Sequence, residues 1–329
     1  MKVKKILICS LVVMLLLVGC ANNSKNTSID EGKEVTLNVA YQYSLGYAPV
    51  AIAKEKGFIE KAYEETTGEK LVIEWIQMSN GADINTGITS GNIDVGFMGI
   101  PPAITGVTKG LGYKIFSGVS GQANSLTTNN AKIKTLEDLI GSEHQIAIVN
   151  IGSTQHIMLA MALAEYGYDA HILDSNIAVM KHPDGMVALE SGNVACHLTC
   201  SPYIEMERKN EKIYELSEIE EVWSSQRSMI VGVASEQLYS EDRALYDALC
   251  QGIKSAVDFI NNDIEGAASI THEFHGNSIE DEIEYLKNGS YSIETKEIFE
   301  LAQFMTENGF LEATVDKYED LVFDNVKGD

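Results

Sequence analysis

The sequence predicts an α/β protein of two similar lobes with a ligand cleft between them, and a repeated block of residues is the main reason. The block SGNIDVGFMGIPP, from Ser90 to Pro102, returns 101 residues later as SGNVACHLTCSPY, from Ser191 to Tyr203. In each copy a Ser-Gly-Asn step precedes a mostly apolar run, and a proline follows that run. Glycine ends helices in the left-handed conformation, and proline favours the first helical turn. Each copy therefore predicts a helix, a tight turn, a buried strand and a second helix.

The spacing of the two copies places them in different lobes. A separation of about 100 residues is a typical domain size, so each copy is expected in a lobe with its own parallel sheet. Ligands of parallel sheets bind beyond the carboxyl ends of the strands, so the copies mark the two walls of one cleft. Asp83 and Asp184 occupy equivalent positions before the copies and are expected as helix N-caps. Their carboxylates either face the cleft or point away from it, and the sequence leaves both open.

The amino terminus has the features of an export signal. Three lysines among the first five residues precede a 13-residue apolar stretch, Ile6 to Val18, that is interrupted only by Ser10. A membrane-spanning helix needs about 20 apolar residues, so the pattern predicts a signal peptide over residues 1–19. Leu-Val-Gly-Cys, ending at Cys20, resembles the lipobox of bacterial lipoproteins, which implies cleavage before this cysteine and lipidation of its sulfur. The alternative is an ordinary signal peptide with a coincidental cysteine. Residues 20–34 are then the lipidated cysteine and a polar tether.

The composition excludes one large class of partners. The chain has a net charge of −24 at pH 7 and 45% apolar residues. Nucleic acids bind basic faces, so no nucleic-acid partner is expected. Apart from the cysteines in the predicted signal and at its cleavage site, the thiols are Cys196, Cys200 and Cys250. An odd number of cysteines does not describe a disulfide scaffold.

The first strand is predicted over Val35 to Tyr43, where apolar side chains alternate, and a helix follows from Ala48 with Pro49 in its first turn. Four polar-tipped side chains cluster at the carboxyl end of this strand: Tyr41, Gln42, Tyr43 and Tyr47. Tyrosine offers an apolar face with a polar tip, so these residues either line the cleft or pack in the core.

The middle of the chain predicts the strands of both lobes and a passage between them. Strands are expected over Lys70 to Gln77 and Tyr113 to Ser117, and the polar stretch Ser120 to Asn130 is expected as the first crossing between lobes. A strand from Gln145 to Asn150, a Gly-Ser-Thr turn and a helix follow. Free backbone N–H groups at such a helix start form a seat for an anionic group, although ordinary capping by Ser153 and Thr154 is the alternative. The spacing does not match a nucleotide-binding P-loop.

The last part of the chain predicts the return to the first lobe. Residues 229–234, MIVGVA, form a buried strand, and helices are expected over most of the remainder. Arg227, one of three arginines, precedes this strand at the second crossing. Its planar fork could bind a sulfonate or carboxylate there, with an ordinary surface arginine as the alternative. The predicted lobes are residues 35–125 with 224–329, and residues 126–223.

The segment Cys196-His197-Leu198-Thr199-Cys200 has the residue types of a metal site but not the spacing. In a strand, Cys196 and Cys200 share a face but lie about 13 Å apart. This separation is too long for one disulfide or one zinc ion, and His197 points to the opposite face. We therefore expect buried structural cysteines, no metal and no cofactor, and His197 as a ligand contact at the end of the strand.

Together these blocks resemble the solute-binding proteins of ABC importers for nitrate, taurine and alkanesulfonates, and the related binders of thiamine-pyrimidine precursors. The matching segments are AKEKGFIEK, SGNIDVGFMGIPPAI, KTLEDLIG, IGSTQH, HPDGMVALESG and CHLTCSPY, spread over residues 35–265. The resemblance implies a type II periplasmic-binding fold whose lobes close on a small solute. It also implies delivery to a membrane permease and its ATPase, a lipid-anchored monomer on the outer face of the cytoplasmic membrane, and no enzymatic activity. The chain departs from the family's pattern at Ala195, where aspartate is frequent, and at Cys200, where serine or proline is frequent.

The departures and the two aspartates bear on the solute. A carboxylate in the cleft would repel nitrate or a bare sulfonate. If Asp83 or Asp184 faces the cleft, a taurine-like zwitterion or an aminopyrimidine is favoured. Two other classes remain as alternatives, a surface sensor of the same fold and, less favoured without a cysteine cluster, an enzyme like the thiamine-pyrimidine synthases. The predicted ligand contacts are Tyr41, Gln42, Tyr43, Tyr47, Asn80, Asp83, Ile100, Asn124, Ser153, Thr154, His156, Asp184, His197, Tyr203 and Arg227.

Overall fold

Residues 34–329 are described by the computed structural model, and within them the strands and helices alternate along most of the chain. The strands are β1 (Glu34–Tyr41), β2 (Lys70–Gln77), β3 (Val95–Gly99), β4 (Tyr113–Gly121), β5 (Asn124–Thr128), β6 (Ile146–Ile148), β7 (Ile177–Val179), β8 (Cys196–Cys200), β9 (Tyr214–Leu216), β10 (Ile230–Ser235) and β11 (Ser290–Tyr291). The helices are α1 (Ala48–Lys56), α2 (Phe58–Thr67), α3 (Gly81–Thr89), α4 (Ile100–Thr108), α5 (Thr154–Glu165), α6 (His182–Ser191), α7 (Tyr203–Arg208), α8 (Glu218–Val222), α9 (Glu236–Glu241), α10 (Arg243–Asn262), α11 (Ile264–His275), α12 (Ile279–Lys287) and α13 (Ile298–Glu307). The signal peptide, Cys20 and nearly all of the tether lie outside the described residues.

The strands form two sheets, one in each lobe. The first has six strands in the order β11-β4-β10-β3-β1-β2, and the second has five in the order β7-β6-β8-β5-β9. The first sheet thus combines strands from both ends of the described chain, and the second is built from the middle. The chain passes from the first sheet to the second between Gly121 and Asn124 and returns between Leu216 and Ile230. The first passage is shorter than the stretch Ser120 to Asn130 expected from the sequence, because most of that stretch belongs to β4 and β5.

Each sheet is mixed, which corrects the expectation of purely parallel sheets. Strand β1 is parallel to β2 and β3, and β6 is parallel to β7 and β8. Strand β10 runs antiparallel to β3 and β4, and β5 runs antiparallel to β8 and β9. Strands β5 and β10 enter their sheets directly from the other lobe, whereas the edge strand β11, which is antiparallel to β4, does not. A strand that arrives without a crossover helix meets its neighbours in the opposite direction.

The internal repeat has the predicted structure in both lobes. In the first copy α3, β3 and α4 follow one another, and in the second copy α6, β8 and α7 do so. The turns between helix and strand contain Gly91 with φ of 72° and Gly192 with φ of 77°. Only glycine enters this left-handed region without a steric cost, which explains why Ser-Gly-Asn recurs.

Neither Asp83 nor Asp184 is a helix N-cap, contrary to the sequence interpretation. Asn80 caps α3, and its side chain accepts a hydrogen bond from the backbone N–H of Asp83. Lys181 occupies the cap position of α6. Both aspartates lie in the first helical turn, where a carboxylate stabilises the positive end of the helix dipole without capping it.

An apolar core runs through both lobes, and aromatic side chains fill it where helices cover the first sheet. Phe97 of β3 and Phe116 of β4 meet edge to face at 5.9 Å, and Tyr246 of α10 packs against Phe116. All three rings are buried. Among residues 34–329, no helix combines the length and apolar character needed to cross a membrane.

Gly232 of β10 lies between two of these rings and supplies a test of the packing. A Cβ atom there would lie 2.6 Å from Cε1 of Phe116 and 2.8 Å from Cε1 of Phe97. We expect Gly232→Ala to lower the free energy of unfolding by about 1–3 kcal/mol, because the rings must leave their rotamers. Urea denaturation measures this change.

Gly68→Asn is the matched control for that substitution. Gly68 has φ of 73° and no heavy atom within 4 Å of a built Cβ. Asparagine tolerates this conformation, so the variant should unfold close to the wild-type midpoint. Equal stability of the wild type and Gly232→Ala would contradict the packing.

Candidate functional site

A cavity of about 30 Å³ lies between the two lobes and is the candidate binding site. It is formed where strands of both sheets end and the next helices begin. Lobe 1, which includes β10, contributes Gln42, Tyr43, Ser44, Tyr47, Ser79, Gly81, Gly99, Pro102, Met229 and Ile230. Lobe 2 contributes Val149, Asn150, Ser153, Thr154, Gln155, Lys181, His182 and Cys200.

Five helices start at the cavity, which gives it a positive potential. The amino ends of α1, α3 and α4 reach it from lobe 1, and those of α5 and α6 reach it from lobe 2. Each helix has about half a positive charge at its amino end, with backbone N–H groups that lack a helical partner. Such ends attract anions. The convergence follows from the topology, since each of these helices follows the carboxyl end of a strand.

The side chains around the cavity add positive charge and no negative charge. Within the described chain, the cavity lining contains no aspartate or glutamate, and Lys181 is its one lysine or arginine. The Lys181 side chain is 38% exposed, and its Nζ lies 3.8 Å from Oδ2 of Asp184 and 5.8 Å from the centre of the Tyr43 ring. The lining itself therefore carries no carboxylate, while Asp184 pairs with Lys181 at its edge and offsets part of that charge.

Two buried polar atoms at the cavity have no hydrogen-bond partner within residues 34–329. They are the donor Nε2 of Gln42 and the acceptor Oδ1 of Asn150. An unpaired buried polar group costs about 1–3 kcal/mol, so a solute that pairs with either atom gains affinity. Ser44 lies beside Gln42 with φ of 138°, a conformation rare outside glycine. Backbone strain of this kind concentrates at ligand sites.

His182 contributes a neutral ring to the cavity wall. Its Nδ1 is 3.0 Å from Oγ1 of Thr199, and its ring stacks on Tyr203 with the centres 5.5 Å apart. Burial, with a smaller contribution from His197, lowers the pKa of His182 to about 3. Burial also raises the pKa of the Cys200 thiol well above its ordinary range. Neither group is charged near neutral pH, so the positive potential comes from Lys181 and the helix ends.

An aromatic compartment adjoins the cavity and shares part of its lining. It is formed by Tyr41, Tyr43, Tyr47, Tyr203 and Phe274, together with Gln42, Ser44, Ala51, Gln77 and His275. Nζ of Lys54 lies 5.5 Å from the ring centre of Tyr41 and 5.9 Å from that of Phe274. The rings of Tyr41 and Phe274 therefore already have a cation beside them. An apolar group fits this compartment better than a second cation.

The two lobes touch at the cavity rim, so the structure is in a closed arrangement. A Cβ atom built on Gly99 of lobe 1 would lie 2.2 Å from Oγ1 of Thr154 in lobe 2. The backbone N–H of Leu45 also donates to the Ser201 carbonyl across the lobes, at 3.0 Å. A glycine is required at position 99 for this approach.

Several of the predicted contacts are brought together here. Gln42, Tyr43, Tyr47, Ser153 and Thr154 line the cavity, and Tyr41 and Tyr203 line the aromatic compartment. Ser153 caps α5 by accepting from the N–H of His156, so the capping and cavity-lining interpretations both describe it. Their role as solute contacts stays a prediction.

Some of the other predicted contacts lie one layer behind the wall. Asn124 is buried and accepts from Nε2 of Gln155, a lining residue, at 3.1 Å. Ile100 is buried, with its N–H donating to the Met229 carbonyl. Asn80 is used in the cap of α3.

Asp83 and Asp184 lie outside the cavity lining. Both are exposed, Asp83 beside Asn80 and Asp184 beside Lys181. The condition that favoured an amine-bearing solute in the sequence interpretation, a carboxylate facing the cleft, is therefore not met.

The remaining three predicted contacts are paired within the protein. His156 bonds Asp174, and His197 bonds Glu207 at 2.6 Å inside lobe 2. Arg227 does lie in the second passage between lobes, but its guanidinium pairs with Glu297 and Glu300 of the α13 region. Because this cation is already neutralised and lies away from the cavity lining, it is not placed to bind the solute.

Sequence reasoning missed Lys181, His182, Gln155 and Gly99, although the repeat held a signal for the first and last of them. The 101-residue offset relates Asn80, which was predicted, to Lys181, and Gly99 to Cys200. Adding 101 to the number of each predicted contact would have identified Lys181, as the equivalent of Asn80. For His182 and Gln155, none of the predicted contacts lies 101 residues away to give such a signal. Among the described residues no group of three or more His, Cys, Asp or Glu side chains could hold a metal ion.

Comparison with known proteins gives the family. The model of the NMT1-like family matches residues 30–272, which is most of the chain. The chain belongs to the NMT1-like family. The resemblance predicted from the sequence is thereby confirmed, because the relatives of this NMT1-like protein include binding proteins for aliphatic sulfonates.

Two of these relatives and one solved structure are representative. A putative aliphatic sulfonates-binding protein of Bacillus subtilis (strain 168) is 29% identical over 208 residues, which cover 62% of this chain and 59% of that protein. One from Escherichia coli (strain K12) is 27% identical over 196 residues, 58% of this chain and 57% of that protein. The chain thus spans just under three fifths of the length of both relatives. The alkanesulfonate-binding protein SsuA from Xanthomonas axonopodis pv. citri bound to MOPS superimposes with a TM-score of 0.72 and 16% identity. That match covers 90% of this chain and 99% of SsuA, and it shows the periplasmic-binding fold.

The Gly99–Thr154 approach generates a prediction about closure of the NMT1-like protein. We expect Gly99→Ala to hold the lobes apart and enlarge the radius of gyration measured by small-angle X-ray scattering. The thermal unfolding midpoint should change little, since the clash lies between lobes rather than within a core. Adding Thr154→Ala should restore the compact form, because the next Thr154 atom, Cβ, lies at an ordinary 3.6 Å. Wild-type dimensions for Gly99→Ala alone would contradict this contact.

The depressed pKa of His182 generates a prediction about stability in acid. Between its ordinary pKa of about 6.5 and its folded pKa, the unfolded chain binds a proton that the folded protein does not. The stabilising contribution of this ring is complete above about pH 6.5 and is lost as the pH falls toward the folded value of about 3. His182→Gln should reduce the pH dependence of the free energy of unfolding by up to about 1.4 kcal/mol per pH unit in this range. Denaturation at pH 6.5 and 4.5 measures it, and an unchanged slope would refute the assignment.

Proposed function

We propose that this NMT1-like protein is the extracytoplasmic solute-binding subunit of an ABC importer and that its solute is a small organic sulfonate without a cationic group. The observation that carries the proposal is a cavity that gathers five helix amino ends and Lys181 while excluding carboxylates. The matched relatives, proteins named for aliphatic sulfonates, support the same class. The partners are then a membrane permease and its ATPase.

The cavity favours an anion over a zwitterion. An ammonium group in the cavity would leave water without a carboxylate among the lining residues to pair with it, and it would lie close to Lys181. Burying an unpaired charge costs several kcal/mol. Taurine, with its ammonium group two carbons from the sulfonate, is therefore expected to bind more weakly than ethanesulfonate, which has the same carbon chain.

The aromatic compartment favours an organic anion over nitrate. Tyrosine and phenylalanine rings surround a space that shares Gln42, Tyr43, Ser44 and Tyr47 with the lining of the anion seat. Each buried methylene group adds about 0.8 kcal/mol. A sulfonate with a short alkyl or aryl group would place its oxygens at the helix ends and its apolar group among the rings, whereas nitrate would use the first part of the site alone.

The site and the fold together suggest a transport cycle. The solute enters while the lobes are apart, the helix ends and Lys181 bind its sulfonate oxygens, and closure brings Gly99 against Thr154 around it. In the proposed role the permease recognises the closed form. Export and lipidation at Cys20 would place a monomeric protein on the outer face of the cytoplasmic membrane, where such a permease opens.

The first experiment is titration calorimetry on the chain from Ala21 onward, in buffers free of sulfonates. Ethanesulfonate and benzenesulfonate should bind, with taurine and nitrate at least tenfold weaker and a neutral aminopyrimidine weaker still. A true ligand at 100 times its dissociation constant also stabilises the fold by about 2.7 kcal/mol in a thermal scan. Binding of the aminopyrimidine or taurine in preference to ethanesulfonate would overturn the proposed solute class.

Lys181→Gln tests the anion seat. Removing the cation while keeping a polar side chain should weaken ethanesulfonate binding about tenfold, a loss of about 1.4 kcal/mol. It should also reduce the salt dependence of the affinity, because a screened charge has been removed. Lys132→Gln is the matched control, an exposed lysine of lobe 2 outside the cavity lining, and should bind like the wild type. Equal effects of the two substitutions would show only a general dependence on net charge.

A further inference from the structure

A second group of side chains joins the two lobes away from the cavity. On the lobe 2 side it contains His156 of α5 and, in the loop before β7, His171 and Asp174. On the lobe 1 side the chain that leaves α13 contributes the carbonyl of Asn308 and the ring of Phe310. The hydrogen bonds and ring contacts between them make one continuous cluster, which we name the histidine latch.

Hydrogen-bond partners fix the protonation of both histidines. The N–H of Gly152 donates to Nδ1 of His156 at 2.9 Å, so Nε2 of His156 carries the proton and donates to Asp174 at 2.9 Å. His171 faces two acceptors, a carboxylate oxygen of Asp174 at 2.8 Å from Nδ1 and the carbonyl of Asn308 at 2.7 Å from Nε2. Only an imidazolium has protons on both nitrogens. The geometry therefore gives a neutral His156 and a charged His171.

Phe310 completes the cluster from the opposite lobe. Its ring centre lies 4.5 Å from that of His171 and 5.3 Å from that of His156, the latter edge to face. A charged imidazole ring beside an aromatic ring is favoured by electrostatic attraction to the ring face. The contact of Phe310 is thus also sensitive to the charge on His171.

We propose that the histidine latch is a determinant of solute affinity that never touches the solute: it holds the lobes closed and fixes the turn that binds the anion. His156 is the link, because its Nδ1 accepts from Gly152 and its own N–H donates to Ser153, the cap residue at the cavity. The inference rests on the proposed function, since it concerns affinity for the solute in that cavity. His171 and Asp174 act as positioning residues.

The location of the latch explains why opening must break it. Arg227 lies in the second passage between lobes and contacts Met161 of α5 and Glu300 of α13. Asn308 lies eight residues beyond Glu300, about 12 Å along a helix, and His156 lies five residues before Met161, about 7 Å. The latch is therefore farther from this passage than the Arg227 contacts are. When the lobes rotate about the passage, the contacts farthest from it move apart the most, so opening separates the two sides of the latch.

The charge on His171 makes the latch dependent on pH. The carbonyl of Asn308 and then the carboxylate of Asp174 raise the pKa of His171 above its ordinary value of about 6.5. The other groups that bear on it are Asp169 of its own loop, neutral His156 of α5 and the Phe310 ring. A raised pKa means that the stabilising contribution is complete below about pH 6.5 and is lost as the pH rises through the raised value. Solute affinity should therefore fall toward alkaline pH.

The test is the dissociation constant of ethanesulfonate, measured by calorimetry at pH 6 and pH 8.5 in sulfonate-free buffers. For the wild type we expect about threefold to fivefold weaker binding at the higher pH, the range for a partly exposed ion pair. His171→Gln should bind at pH 6 as weakly as the wild type does at pH 8.5, with no pH dependence from this group. Asp174→Asn should also weaken binding, and it removes the bond to His156 as well. Combining the two should cost less than the sum of the single effects, because both remove the His171–Asp174 pair.

Two controls separate the latch from other sources of pH dependence. His144→Gln removes a lobe 2 histidine that is not in the cluster and should keep the wild-type pH profile. His275 also lies between two acceptors, Glu282 and the Ser44 carbonyl, beside the aromatic compartment. His275 is present in both the wild type and His171→Gln, so the difference between their pH profiles is due to His171 alone. An identical pH profile for the wild type and His171→Gln, or full additivity with Asp174→Asn, would overturn the latch.

Failure of the proposed function gives a different result from failure of the latch. If no sulfonate binds the wild type, the proposed solute is wrong, and the latch is judged on the protein without solute by small-angle X-ray scattering. The wild type should then expand between pH 6 and pH 8.5, and His171→Gln should be expanded at both. If ethanesulfonate binds and His171→Gln matches the wild type throughout, the function stands and the latch is refuted.

Discussion

The arrangement on which the rest depends is the meeting of five helix amino ends at one cavity. Each end has a partial positive charge, and together the five ends favour an anion. The N–H groups of Asp83, Ile100 and His156 are already paired within the protein. The lining includes neutral His182, neutral Cys200 and one lysine, so the helix dipoles are not cancelled. Acidic residues occur throughout the sequence, yet the described residues place none of them in the lining. In the proposed function, this exclusion favours a negatively charged solute.

The exchange of strands between lobes makes that meeting possible. Strands β5 and β10 enter their sheets directly from the opposite lobe, and the chain passes between the sheets on either side of the second sheet's strands. Two connections restrict the relative motion of the lobes to rotations that open or close the cavity. The contact of Gly99 with Thr154 and that of Phe310 with the two histidines therefore both depend on how far the lobes are closed. In the proposed transport cycle, solute binding and lobe closure are therefore thermodynamically coupled.

How much of this the sequence could predict depended on the range of each interaction. The helix, turn, strand and helix of each repeat follow from glycine and proline at fixed positions, and they were predicted correctly. The N-cap assignment of Asp83 and Asp184 was wrong by three residues, because a carboxylate in the first turn and one at the cap give the same pattern. Arg227 was placed correctly at the passage between lobes, but its pairing with Glu297 and Glu300 involves residues about 70 positions away.

The sequence by itself determined the α/β class, the two-lobe division, the family and the turn at Ser153 that caps α5. These depend on local backbone preferences and on the period of apolar residues, which neighbouring residues encode. Only the tertiary structure decided which polar side chains meet at the cavity, that Lys181 is among them, and that His156, His171 and Phe310 join the lobes. Those groupings depend on how two lobes pack, and packing is set by the sum of many contacts between residues far apart in the chain.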